Sequence, residues 1–166
     1  DHYNLSLESF NANKSLPKII ETNDLQSVFR ADKISGEFKE EFIIKTNGEE
    51  YQRVNDIKNT WARLIVPLDF PELEIINDPY SSFQYSLQEL KHWEMAPFNL
   101  VILEEKKIPF SITTDGLGTV SSFLEKLKIT IEHGLPNNDA LKALTYQPAN
   151  FLNVYNKIGS ISKGKL

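Results

Sequence analysis

Short runs of apolar residues alternate with segments of helical spacing along most of the chain. Four β-type runs are predicted, at residues 17–21, 41–45, 63–68 and 109–116. Each is followed by apolar residues at helical spacing, as with Leu25, Val28 and Phe29 after the first run. Alternation of strand and helix is typical of parallel strands joined by right-handed crossovers. The pattern therefore predicts a single α/β domain over residues 1–166, with about four parallel strands.

The polar residues around these runs indicate where helices begin and end. Residues 22–24 can cap the first helix, and Gly36 is a natural stop for it. The inner face of the second helix is predicted to carry Tyr51, Val54, Ile57 and Trp61. The later helices are predicted at about residues 83–94, 98–107, 120–133, 138–145 and 148–155.

Two stretches depart from this rhythm. Residues 69–80 contain two prolines and several acids, which suits an excursion over the surface or over the mouth of a site. Residues 158–166 are predicted to turn and begin a further strand.

Four strand–helix units are too few for a complete (β/α)₈ barrel, which takes about 250 residues. A compact open sheet and half of such a barrel both remain consistent with the pattern.

Composition narrows the classes of function. The chain has 18 Lys+Arg against 23 Asp+Glu, a formal charge of −5, and no basic run, which argues against a nucleic-acid partner. It has no cysteine, so disulfides and thiolate metal sites are excluded. The longest apolar runs are far shorter than the roughly 20 residues of a membrane-spanning helix. The cellular compartment is left open.

Asp115 is the sharpest candidate for chemistry. It ends the fourth apolar run, after two threonines, and Gly116 and Gly118 leave space around it. A carboxylate in that position can bind a metal ion or accept a proton from water. The plainer interpretation is that Asp115 caps the following helix and stabilises a tight turn.

The residues after Asp115 favour the first interpretation through a resemblance. After residues 110–116 and a long helix come several short motifs in a fixed order, at residues 134–135, 139–145, 147–149, 158–161 and 164–165. In order and spacing this region resembles the C-terminal part of the amidohydrolase superfamily. It is most similar to the imidazolonepropionase-like and prolidase-like branch. The similarity implies that the four runs correspond to strands 5–8 of a TIM-type barrel, with residues 158–166 starting the return to a small β-sandwich.

The resemblance implies a metal-dependent hydrolase that cleaves C–N bonds in a small amide, cyclic amide or dipeptide-like substrate. Asp115 would be both metal ligand and proton shuttle, with Glu21 as a second ligand. The implied metal is Zn²⁺, with Mn²⁺ or Mg²⁺ favoured if the ligands are mainly oxygen. Family members place a histidine after strands 5 and 6, whereas Glu21 and Lys45 stand near these positions here. Lys45 could instead neutralise a carboxylate and leave no metal bound.

A second hypothesis follows from the missing histidines: a non-catalytic binding or scaffold module with a degenerate metal site. Under the first hypothesis, His92 and Trp93 lie between strands 7 and 8 and could line a substrate pocket. Their plainer interpretation is structural, with Trp93 in the core. His133, at a helix end, is expected to interact with the last carbonyl groups of that helix.

Half of a barrel would expose strand edges and apolar surface. The expected partners are therefore the remaining N-terminal half of the same protein, a second copy of the chain, and a small-molecule substrate. Because half of the implied ligands would lie elsewhere, the fragment alone is expected to be inactive.

Overall fold

A four-stranded sheet forms the centre of the molecule. The computed structural model describes residues 4–60, 62–72 and 84–166. Its strands are β1 (Lys18–Glu21), β2 (Phe42–Lys45), β3 (Arg63–Pro67) and β4 (Phe110–Thr113). Neighbouring strands are parallel, and the order across the sheet is β1-β2-β3-β4. The prediction of about four parallel strands in an α/β domain is confirmed.

Helices connect and flank the strands. The described α-helices are α1 (Leu5–Ala12), α2 (Leu25–Phe38), α3 (Val54–Thr60), α4 (Leu87–Met95), α5 (Asn99–Glu105), α6 (Val120–Glu132), α7 (Asn137–Leu144) and α8 (Tyr146–Phe151). Short 3-10 turns at Glu50–Arg53 and Ala96–Phe98 lead into α3 and α5. Gly36 does not stop α2, which continues until Lys39 takes a left-handed conformation with φ of 54°. Helix α1 was not predicted.

Two helix starts are fixed by side-chain caps near the carboxyl ends of the strands. Asp24 caps α2 by accepting a hydrogen bond of 2.7 Å from the Ser27 backbone N–H, which lowers the pKa of Asp24. Thr119 caps α6 by accepting a bond of 3.1 Å from the Ser122 N–H. Asp115 therefore does not serve as the cap of α6.

The main core lies between one face of the sheet and the helices. Successive strand residues point to opposite faces, and burial along β3 alternates accordingly: Leu64 and Val66 are buried, whereas Ile65 is only partly buried. The buried cluster joins these two residues to helix positions such as Val28, Ile57, Leu103 and Phe123. One face of β3 is thus fully covered. A strand buried between two layers of helices would have both faces covered.

The opposite face of the sheet carries Glu21, Lys45 and Ile65, which are aligned in the register of adjacent strands. Ile19, on the same face of β1, is 54% exposed. A parallel sheet with its main helical core on one face is consistent with a partial TIM-like barrel. Residues 158–166 form turns and contain no strand, so the return to a β-sandwich stays a prediction.

Some sequence predictions lie outside the described residues. These are the burial of Trp61 and most of the 69–80 excursion. The helix predicted at about 83–94 is α4, which begins later, at Leu87, after the Ser86 cap. No described helix is both long enough and apolar enough to span a membrane.

Candidate functional site

Three charged side chains meet at the carboxyl ends of the strands. Glu21 and Lys45 are the last residues of β1 and β2, and Asp115 follows β4 by two residues. The Lys45 Nζ lies 2.6 Å from Glu21 Oε1 and 2.7 Å from Asp115 Oδ2. We call this cluster of Glu21, Lys45 and Asp115 the strand-end triad.

The topology accounts for the meeting. Parallel strands bring their carboxyl ends to one edge of the sheet, and Glu21 is paired with Lys45 in the register. Lys45 is likewise paired with Ile65, and Ile65 with Ser111, so these side chains share a face of the sheet. Asp115 lies in the turn that follows β4, at the same edge of the sheet. The two residues that the sequence singles out as ligands are thus brought to one ammonium group.

The three groups differ in exposure. The Lys45 side chain is only 18% exposed, whereas those of Glu21 and Asp115 are 64% and 59% exposed. Hydrogen bonds from Lys45 to Asp115 and then to Glu21 raise the pKa of Lys45, because both carboxylates favour the charged ammonium. Lys45 therefore stays a cation at neutral pH. The carboxylates remain accessible to a ligand from solvent.

A tight turn holds the backbone of Asp115. The Asp115 N–H donates to Thr113 Oγ1 at 3.2 Å, and the Leu117 N–H donates to the Thr114 carbonyl at 3.0 Å. Gly116 has φ of +80° and lies against the Asp69 side chain. The turn thus fixes the backbone while the Asp115 carboxylate pairs with Lys45. The Asp115 carboxylate therefore does more than stabilise its own turn, which was the plainer interpretation.

Gly116→Ala is expected to destabilise the protein by about 1–3 kcal/mol, because an L-residue is strained at this φ. The added Cβ would also lie 2.7 Å from Asp69 Cγ and 2.8 Å from its Cβ. Chemical denaturation measures the loss. Gly164→Ala is the matched control, since Gly164 has φ of +89° with nothing within 4 Å of the added atom. A loss no greater for Gly116→Ala than for the control would contradict a steric cost from the Asp69 side chain.

A second polar group, formed by His92 and Tyr51, lies near the loops that follow β2 and β3. His92 Nδ1 is 3.1 Å from the Tyr51 hydroxyl, and the two rings are stacked with centroids 6.0 Å apart. His92 lines a cavity of about 10 Å³ together with Asn47, Asp69 and Asn99. That volume is close to what one water molecule requires. Asn47 Oδ1 is buried and has no hydrogen-bond partner among the described residues, so it can accept one from a small group in the cavity.

The two residues predicted to line a substrate pocket lie in different surroundings. His92 faces this cavity, whereas Trp93 is 43% exposed and does not line it. Trp93 is therefore not a core residue. His133 behaves as expected, with Nδ1 2.7 Å from the Ile129 carbonyl oxygen in the last turn of α6.

Comparisons with known proteins agree with this architecture. A model of the amidohydrolase family matches residues 37–166. This chain belongs to the amidohydrolase family. Its fold is also similar to a crystal structure of an amidohydrolase from Thermotoga maritima MSB8, with a TM-score of 0.72 and 21% sequence identity. The match covers 99% of this chain and 40% of the Thermotoga chain. This amidohydrolase-family chain therefore spans less than half the length of that relative. A search of curated proteins found no match.

Members of the amidohydrolase family generally use divalent metals, which raises the question of whether this chain's residues fit one. The two candidate ligands, Glu21 and Asp115, already direct an oxygen each to the Lys45 ammonium. Among residues 4–60, 62–72 and 84–166, no three His, Cys, Asp or Glu side chains are grouped so that they could hold a metal ion. The donor set that the structure describes therefore does not fit a divalent metal centre.

Sequence reasoning missed part of the site. Tyr51 was assigned to the inner face of a helix, yet its hydroxyl contacts His92. Asn99 was not singled out, although it is buried and contacts the backbone of Tyr51. No sequence signal identifies these residues, because their contacts join segments more than forty positions apart.

Proposed function

We propose that this chain is part of a longer hydrolase that cleaves C–N bonds in small amides, cyclic amides or dipeptide-like substrates. The observation that carries the proposal is the strand-end triad, in which Asp115 is accessible at the carboxyl edge of a parallel sheet. In barrel and open-sheet α/β enzymes, active sites lie at that edge. Membership of the amidohydrolase family supports hydrolysis as the reaction type.

Asp115 supplies the proton chemistry in this proposal. Its carboxylate accepts a proton from a water molecule, whose oxygen adds to the carbonyl carbon of the substrate. The C–N bond then breaks, and Asp115 returns the proton to the leaving nitrogen, so that a carboxylic acid and an amine are formed. Lys45 holds Asp115 in position through its 2.7 Å contact and places a positive charge at the site.

Substrate contacts come from the neighbouring polar groups. His92, paired with Tyr51, presents a hydrogen-bonding ring beside the loops that follow β2 and β3. The buried Asn47 Oδ1 faces a cavity of about 10 Å³, so it acts through a water molecule rather than by direct contact. A ring nitrogen and a bound water suit the carbonyl and N–H groups of an amide. Trp93 is proposed as an apolar contact for the substrate, since its ring is 43% exposed on α4.

The remaining part of the barrel is proposed to come from the N-terminal half of the same protein, with this chain as its C-terminal half. The 40% coverage of a longer amidohydrolase supports this, as does the 54% exposure of Ile19 on the edge strand β1. The imidazolonepropionase-like branch and the correspondence to barrel strands 5–8 belong to the same proposal. Under it, the chain alone is inactive; pairing of two copies is the alternative way to cover the open edges.

The test is an assay of the full-length protein against a panel of simple amides, cyclic amides and dipeptides, with detection of the released amine. Turnover of at least one class is expected, and residues 1–166 expressed alone should show none. Failure to hydrolyse any member of the panel would overturn the C–N hydrolase proposal.

One observation favours a second function, a non-catalytic binding or scaffold module. Lys45 engages both candidate ligands, as expected of a site that has exchanged metal chemistry for a structural ion pair. The two functions separate in ligand-binding assays: a scaffold module would bind members of the panel without releasing amine, whereas an enzyme would release it.

A further inference from the structure

Lys45 is held in the strand-end triad from two directions. Its backbone is the last residue of β2, paired on one side with Glu21 of β1 and on the other with Ile65 of β3. Its ammonium contacts two carboxylates at 2.6 and 2.7 Å. Such charge-assisted hydrogen bonds are roughly twice as strong as neutral ones. A side chain anchored at both ends does not leave the site readily.

The charges and the exposure of the three side chains also oppose the entry of a divalent metal ion. The two carboxylates carry −2 and the ammonium +1, so a divalent ion entering between them would have to share the site with a cation. Lys45 is the shielded member, at 18% exposure, while both carboxylates face solvent. Entry of a metal would therefore require moving the least accessible group of the three.

We propose that Lys45 is the resident cation of the strand-end triad and that it excludes divalent metals from Glu21 and Asp115. This inference goes beyond the proposed hydrolase function and does not depend on turnover. It implies that Asp115 works beside an ammonium group rather than as a metal ligand. A single substitution at Lys45 should then convert the triad into a metal site.

The test is titration of the full-length protein with Zn²⁺ by calorimetry and with Mn²⁺ by electron paramagnetic resonance. Lys45→His removes the fixed charge and adds an imidazole between two carboxylates, a combination suited to divalent transition metals. It is expected to bind either metal at least tenfold more tightly than the unaltered protein. Adding Asp115→Asn to that variant should abolish the gain.

Lys45→Met is a second variant that removes only the charge, and it too should bind Mn²⁺ at least tenfold more tightly than the unaltered protein. It covers the case in which the histidine variant fails to fold, which thermal melting reveals. Lys18→Met is the matched control. Lys18 pairs with Glu40 at 2.6 Å and is 14% exposed, but it lies at the amino end of β1. It should leave metal binding unchanged.

Two outcomes would overturn the inference. One is stoichiometric metal in the unaltered protein whose binding is lost in Asp115→Asn or Glu21→Gln. The other is a pair of folded Lys45 variants that bind metal no better than the unaltered protein. Metal that is insensitive to Asp115 and Glu21 lies elsewhere and leaves the inference standing. Since the readout is metal binding, an absence of amide hydrolysis would count against the proposed function alone.

Discussion

Asp115→Asn in the full-length protein is expected to lower kcat/KM for amide hydrolysis by about 10²–10⁴-fold, the usual contribution of a general acid–base group. Asparagine has nearly the same shape and can still accept a hydrogen bond from Lys45. It cannot take a proton from water at neutral pH. The loss should therefore fall mainly on kcat, because the proposed substrate contacts at His92 and Trp93 are unchanged.

Steady-state kinetics on the best substrate of the panel measures this effect. Asp56→Asn is the matched control, since Asp56 is an exposed carboxylate on α3 that pairs with Arg53 at 2.8 Å. The control should retain the activity of the unaltered protein. Unchanged kcat/KM in Asp115→Asn would remove Asp115 from the chemistry. An equal loss in both variants would point to a general effect of lost charge.

Lys45→Ala should also lower kcat/KM, because Lys45 no longer holds Asp115 in position. With the ammonium gone, Asp115 loses its 2.7 Å partner and shares the site with a second carboxylate. Comparing this variant with Asp115→Asn separates a group that transfers a proton from one that holds it in place. Lys45→Arg keeps the charge and should recover part of the loss, although its longer, planar head does not fit the same two contacts equally well.

The strand positions could be predicted from the sequence because the strands are short apolar runs separated by segments of helical spacing. Residues 63–68 are an example: they predict β3 (Arg63–Pro67) almost to the residue. Helix α1 could not be predicted in the same way. It has no buried residue, and its start depends on the Asn4 side chain, which caps the Ser6 and Leu7 N–H groups.

The site was predictable in part. Its location followed from polar residues at strand ends, and the sequence identified Asp115, Glu21 and Lys45 as chemically notable. Which partner each would choose could not be predicted, since the triad depends on the register between β1 and β2. A shift of one residue would send Lys45 to the opposite face. Long-range contacts such as Tyr51 with His92 carry no local signal at all.

The second large effect concerns the stability of the protein and a buried carboxyl group. Glu50 is fully buried and accepts hydrogen bonds from the Asn99 side-chain amide and from the Gly48 N–H. The Asn99 Oδ1 in turn accepts a bond of 2.8 Å from the Tyr51 N–H. Asn99 thus satisfies a buried acceptor and a partly buried donor at once, and it ties the start of α5 to the 3-10 turn at Glu50–Arg53.

Asn99→Ala is expected to reduce the free energy of unfolding by about 3 kcal/mol, because it removes hydrogen-bond partners from both the buried Glu50 carboxyl group and the Tyr51 N–H. Urea denaturation monitored by circular dichroism measures the change. Asn55→Ala on α3 is the control: Asn55 is exposed, so its change should stay within about 0.5 kcal/mol. Asn99 and His92 line one cavity of about 10 Å³, so this water-sized space should change in the Asn99→Ala variant as well. Equal stability of the two variants would mean that Glu50 finds another donor, and the cavity would then not depend on Asn99.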